Sequence, residues 1–344
     1  MTTAVYLIAS PLQMLYALEA RVSFPAEQHV LCTLETGFDS DRRQIDELAG
    51  HEQWTERYRL PWPARPNRLI RTVRQIRLAR AIRRRFGVVD RLFAGDYNFA
   101  LNTLVEHRRF YLLSDGNKVI WQRSQFGRSY ELALTRIPFL NRVLTRLVPL
   151  LARRSQDVHY FSPFLFDGAD EWMVTHDFAW LRRHLGVVDQ REQDPTIVYF
   201  LGAYLSEGVW TRYTTEPYFL ESMRRIAAHY AMQGKRLVYI PHRHEDPAKL
   251  ARLCVRVPDL EIVRFERGVE LEFLRRGVTP THVASFVSTG LYNLTRIYPA
   301  CRIEAFQLDP EAFLPKAFWP RFVAIYAYYE SHMHVDRELL IGHG

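Results

Sequence analysis

Residues 196–245 read TIVYFLGAYLSEGVWTRYTTEPYFLESMRRIAAHYAMQGKRLVYIPHRHE. The apolar run 196–201 has the length of a buried strand and ends at Gly202. Residues 218–233 then place apolar side chains at helical spacing. A second apolar run, 236–240, stops at Pro241 and the polar His242-Arg243-His244-Glu245. Strand, loop, helix, strand is the repeating unit of a parallel sheet, whose neighbouring strands need a long crossover between them.

The same alternation continues on both sides. Downstream, 260–263 reads as a strand, 271–276 as a short helix and 282–287 as a strand. Ser288-Thr289-Gly290 opens a helix that stops near Pro299, before a strand at 303–306 and a terminal helix at 316–331. Upstream, strands are expected at 4–9, 30–33, 89–93 and 110–113, with helices at 12–20, 68–85 and 139–152. The stretch 187–195 (VVDQREQDP) is polar, lacks apolar periodicity and ends in proline, as a linker does. The sequence therefore predicts two Rossmann-like, doubly wound α/β domains, at 1–190 and 196–344, with the terminal helix packing back on the first. In such sheets ligands bind beyond the carboxyl ends of the strands.

Length and composition agree with two cores. The chain has 344 residues and is 48% hydrophobic, more than one core usually holds. Its net charge of +8 suits an acidic partner: nucleotide phosphate, anionic lipid or nucleic acid. Three cysteines, an odd number with no Cys-x-x-Cys pair, argue against a disulfide scaffold and structural zinc and fit a reducing compartment. The opening MTTAVYLIASPLQM lacks the charged and cleavable parts of a secretion signal. Charges interrupt every apolar run short of the ~20 residues of a spanning helix. A cytoplasmic place, or the inner face of the membrane, is expected.

Three polar groups follow predicted strands. Ser114-Asp115-Gly116 sets a carboxylate where it can take a proton from an attacking hydroxyl; the same letters also make an ordinary Asp-Gly turn. His242 and Arg243 can donate to phosphate oxygens, although the loop is equally readable as a solvated turn. His242-x-His244-x-Asp246 also matches part of a zinc hydrolase motif. Ser288, Thr289 and Gly290 at a helix start form either a plain cap or a cap that also binds phosphate. The arginines at 68, 71, 74, 77, 80 and 83 give one helix a basic face. That face suits an anionic membrane or simply solvent, while the apolar side packs on the sheet. No aromatic is interleaved with them, so nucleic acid is not an expected partner.

Taken in order, these groups resemble the bacterial sialyltransferase-like glycosyltransferases, the capsular polysialyltransferases and lipooligosaccharide sialyltransferases of glycosyltransferase family 52. Ser10-Pro11-Leu12-Gln13, followed by Ala17-Leu18-Glu19-Ala20, is similar to their N-terminal signature. Ser114-Asp115-Gly116 resembles their acidic motif, Pro241-His242 their Pro-His-Pro motif, and Ser288-Thr289 their Ser-Ser/Thr pair. Phe200-Leu201-Gly202 also fits.

The resemblance implies a GT-B fold, in which an acceptor-binding and a nucleotide-binding domain face a cleft. Ser10, Pro11 and Gln13 would lie in its N-terminal loop. It implies transfer from CMP-sialic acid to a glycan with inversion and without metal or other cofactor. By position, Asp115 would be the general base and His242 would act on the CMP phosphate. Ser288, Thr289, Gly290, Arg243, Gly202 and Glu272 would hold the donor. Ser114 and Arg243 depart from the family pattern, and Arg243 leaves CMP-Kdo or a UDP-hexose open as donor.

Overall fold

The computed structural model describes residues 1–35, 38–61, 68–95, 99–114, 116–120, 158–166, 172–185, 191–192, 194–207 and 212–342. The expected helix at 139–152 and Asp115 lie outside the described residues. The chain divides into two compact units, Met1–Leu181 and Arg182–Gly344.

In the first unit the elements run β1 (Thr3–Ile8), α1 (Pro11–Ser23), β2 (Gln28–Leu34), α2 (Asp39–Gly50), β3 (Glu56–Leu60), α3 (Arg68–Phe86), β4 (Val89–Ala94), α4 (Phe99–Leu104), β5 (His107–Leu113), β6 (Val158–Ser162) and β7 (Met173–Thr175). They build one sheet of order β3-β2-β1-β4-β5-β6-β7, parallel at every pairing. Chain order reverses between β1 and β4, which makes that the switch point of the sheet. α5 (Ala179–Leu185) follows β7.

The second unit runs β8 (Arg191–Glu192), β9 (Ile197–Leu201), α6 (Glu216–Met232), β10 (Arg236–Ile240), α7 (Pro247–Arg256), β11 (Glu261–Ile262), α8 (Val269–Arg275), β12 (Val278–Thr279), β13 (His282–Ser285), α9 (Thr289–Ile297), β14 (Arg302–Phe306), a 3₁₀ turn (Lys316–Phe318), α10 (Trp319–Glu330) and β15 (His334–Asp336). Its sheet order is β11-β10-β9-β13-β14-β15, with β12 and β8 paired separately. The six strands are parallel and repeat the first unit's winding, with a switch point between β9 and β13.

Register explains the cores. Tyr6 on β1 is opposite Phe93 on β4, and Phe93 is opposite Tyr111 on β5. The three rings stack at 4.8 Å and 4.9 Å between centroids. Each such pair adds about 0.5–1.5 kcal/mol to the area it buries. In the second unit Phe200 on β9 is opposite Tyr239 on β10, with ring centroids 6.0 Å apart. Edge strand β3, ERYRL, is half-buried and charged, which discourages pairing with another chain.

Capping decides where α1 begins. Ser10 accepts from the Gln13 N–H at 3.2 Å, and Gln13 reaches back to accept from Ala9 N–H at 2.9 Å. With Pro11 in the first turn, Ser-Pro-Leu-Gln is a capping-box variant. Further along α1 the buried Glu19 accepts from the N–H groups of Trp180 and Leu181, each at 2.9 Å. Its charge there complements the positive start of α5. In α10, Tyr326 accepts from Leu308 N–H and Tyr329 donates to the Ser288 carbonyl at 2.7 Å. The terminal helix is thus fastened to strand ends of the second unit.

Candidate functional site

The carboxyl edge of the second sheet gathers the polar residues. Ile240 of β10 and Ser285 of β13 are both in register with Leu201 of β9. The loops bearing His242 and Ser288 therefore leave the sheet at one level, two strand spacings or about 10 Å apart. Ser285 ties the edge together by donating its hydroxyl to the Leu201 carbonyl at 2.7 Å.

The His242 loop is braced from below. Glu245 accepts from the Tyr239 hydroxyl at 2.8 Å, from His242 N–H at 3.2 Å and from Lys249 at 3.0 Å. Lys249 also donates to Glu207 at 2.8 Å, and Glu207 accepts Asp246 N–H at 2.8 Å. The side chains of Lys249 and Glu245 are 0% exposed. Burial pushes the Glu245 carboxyl up, against the pull of Lys249 and Tyr239. One buried cation thus joins the loops after β9 and β10.

Gly202 is part of the same brace. A Cβ there would lie 2.6 Å from the Tyr239 hydroxyl and 2.9 Å from Glu245, so only glycine leaves their bond intact. Gly202 supports the loop rather than presenting a side chain.

His242 lies under this loop's influence. Tyr204 stacks on its ring at 6.0 Å, and the His244 ring is 5.3 Å away. The ring keeps solvent-open surface, yet protein packs densely around it. That burial, then the charges of Arg243, His244 and Lys249, pushes its pKa down to about 3. His242 Nδ1 accepts from His244 N–H at 3.3 Å, which assigns the remaining ring hydrogen to Nε2. A neutral Nε2–H donor results. Arg243 donates to His244 Nε2 at 3.1 Å.

Across the switch point, Ser288 caps α9 by accepting from Gly290 N–H at 3.2 Å. A Cβ on Gly290 would lie 2.7 Å from Val269 and 3.1 Å from Leu201; glycine lets the start of α9 settle on α8 and β9. Thr289 opens α9, beside Ser288.

Glu272 has both oxygens engaged, with Arg267 at 3.3 Å and Arg276 at 2.8 Å. Glu270, two residues earlier, is the carboxylate that sequence reasoning missed. It accepts from Asn293 of α9 at 2.6 Å. Burial pushes it up, while Asn293, its own backbone and the nearby Arg243 pull it down. Glu270 therefore joins α8 to α9. Asp246 serves as the N-cap of α7, accepting from Ala248 N–H at 2.9 Å. Among the described residues no three or more His, Cys, Asp or Glu side chains are grouped to hold a metal, so the zinc hydrolase alternative finds no ligand set there.

In the first unit, Ser114 is buried and donates to the Gly116 carbonyl at 3.2 Å. Gly116 has φ 73°, the left-handed turn expected of glycine after Asp115. Ser10 and Gln13 form the α1 cap, and Gln13 also fills the space beside Gly95, where a Cβ would lie 2.2 Å from its amide. Pro11 is buried in the first turn.

No family model matches this sequence, and neither does any curated protein. Solved structures are similar in fold. A sialyltransferase from Photobacterium damsela is 10% identical, covers 98% of this chain and 81% of its own, and has a TM-score of 0.50. A UDP-GlcNAc 2-epimerase from Neisseria meningitidis, bound to UDP-GlcNAc, is 10% identical over 96% of this chain and 92% of its own, at a TM-score of 0.49. MurG from Acinetobacter baumannii is 10% identical over 97% and 86%, at 0.45. The two parallel α/β units have the architecture of the GT-B glycosyltransferase fold.

Proposed function

We propose that the chain transfers a sugar from a nucleotide-activated donor to a glycan hydroxyl, with CMP-sialic acid as the donor. The observation that supports this most is the joint placement of His242, Arg243 and the Ser288-capped start of α9 at one sheet edge. A helix start and two nitrogen donors suit a phosphate. In this reading His242 donates Nε2–H to the leaving phosphate oxygen, and the anion's arrival raises the ring's proton affinity. Ser288 and Thr289 hold the same phosphate. Glu270 accepts from sugar hydroxyls of the nucleotide. The first unit binds the acceptor, whose hydroxyl loses its proton to Asp115 as the anomeric carbon is attacked from the opposite side.

Purified protein incubated with CMP- and UDP-sugars, in chelator and with a glycan acceptor, tests the reading through released nucleotide. Release of CMP from CMP-sialic acid is expected, and Asp115→Asn should lower it by roughly 10²–10⁴ while donor binding persists. Turnover confined to UDP-sugars would reassign the donor. Absence of turnover with every donor, or activity that needs restored zinc, would overturn the proposal.

A further inference from the structure

Helix α3 is not used by the proposed transfer chemistry. Gln75, Leu78, Ala79 and Ile82 form its buried line, at the i, i+3, i+4, i+7 spacing of one helix face. Val73, Arg77, Arg80 and Arg84 repeat at i, i+4, i+7, i+11 on the opposite side, and all four are exposed. Arg83 and Arg85 on the flanks pair with Glu106 at 3.0 Å and Glu56 at 2.8 Å. Arg77, Arg80 and Arg84 have no acidic partner among the described residues. The stripe is straight and about 16 Å long at helical rise. Val73, 40% exposed, begins it, and Val88, 52% exposed, lies just past its end.

We propose that this stripe docks the protein on an anionic lipid bilayer. Like charges at i, i+3 and i, i+4 destabilise a helix in water, so three neighbouring unpaired guanidinium groups are best accommodated against a negative surface. A straight row fits a flat array of headgroup phosphates, where each cation within a Debye length adds attraction. The two valines supply apolar ends for the headgroup boundary. The row carries no aromatic ring, so a single-stranded nucleic acid would find no stacking platform. No described helix is long and apolar enough to cross a membrane; the contact is a surface one. It is independent of the sugar-transfer reading.

Sedimentation with vesicles tests it. The protein should pellet with phosphatidylcholine–phosphatidylglycerol vesicles at low salt, leave them at high salt, and ignore phosphatidylcholine alone. Arg77→Gln/Arg80→Gln/Arg84→Gln should bind on the order of 100-fold more weakly, with a melting temperature no lower than the parent's. A charge-matched variant of the second unit, Arg236→Gln/Arg256→Gln/Arg275→Gln, should bind as the parent does. Equal losses in the two variants would reduce the effect to net charge and overturn the proposal. Failure of the parent to pellet would also overturn it. So would tighter binding to mixed-sequence RNA or duplex DNA that the first variant loses.

Discussion

The two units wind their sheets in the same order but treat their switch points differently. In the first, the Gln13 amide lies against Gly95 and turns back on Ala9. Gln13 is 1% exposed, so the protein itself fills the space beside β4. In the second, the glycine at the switch point is Gly202, which follows the other central strand, β9, and its contact comes from the buried Tyr239 and Glu245. The packing there supports the loops and leaves His242 and Arg243 exposed above them. Topology supplies a crevice in either unit; in the first a buried glutamine amide lies at the strand end, whereas in the second the buried polar groups brace a loop whose His242 and Arg243 are exposed.

The largest way to break this contrast is Lys249→Met. It leaves Glu245 and Glu207 without their shared cation, and breaking such a buried pair costs about 3–5 kcal/mol. Urea denaturation should show that loss. A cost under about 1 kcal/mol would mean the brace does not hold the loop. Next come the two glycines. Gly202→Ala and Gly95→Ala should each destabilise by about 1–3 kcal/mol through overpacking. Only Gly202→Ala should also weaken CMP binding in calorimetry; equal weakening in both would erase the distinction between the units. The smallest stability effect belongs to Ser288→Ala/Thr289→Ala, about 1 kcal/mol for the lost cap. CMP affinity should fall with it, by about 1–3 kcal/mol for charge-assisted hydrogen bonds. Normal CMP binding in a variant that melts lower would leave Ser288 as a cap alone.

Much of this architecture was legible because central parallel strands are buried on both faces and read as apolar runs. The observed β1, β4, β9 and β10 fall within a residue or two of those runs. Edge elements were not legible. β3 alternates charges, and α2 (DSDRRQIDELAG) buries few apolar side chains, chiefly Ile45, Leu48 and Ala49, too few to outweigh its polar composition. At the site, His242 and Ser288 were readable from their position after strands. Glu270 was not, because helical phase decided it. Starting the helix at Leu271 put Glu270 outside, whereas α8 begins at Val269. Residues two apart on a helix point to different sides, and only the packing of Asn293 shows which side matters.

Glu19 has a consequence in time. Its carboxylate sits on α1, but the N–H groups it receives come 161 and 162 residues later in the chain. At about 5–20 residues per second, that is a wait of roughly 10–30 s. The Glu19 contact of α1 can thus form only after β1 to β7 have been made. Throughout the interval α1 carries a charge whose native donors have not been synthesised, while its apolar side seeks a sheet still short of β4, β5 and β6. A nascent chain of this kind is exposed to aggregation or chaperone capture. A chain arrested before Ala179 should therefore be released from the ribosome as a protease-sensitive species, and one extended through α5 as a resistant one.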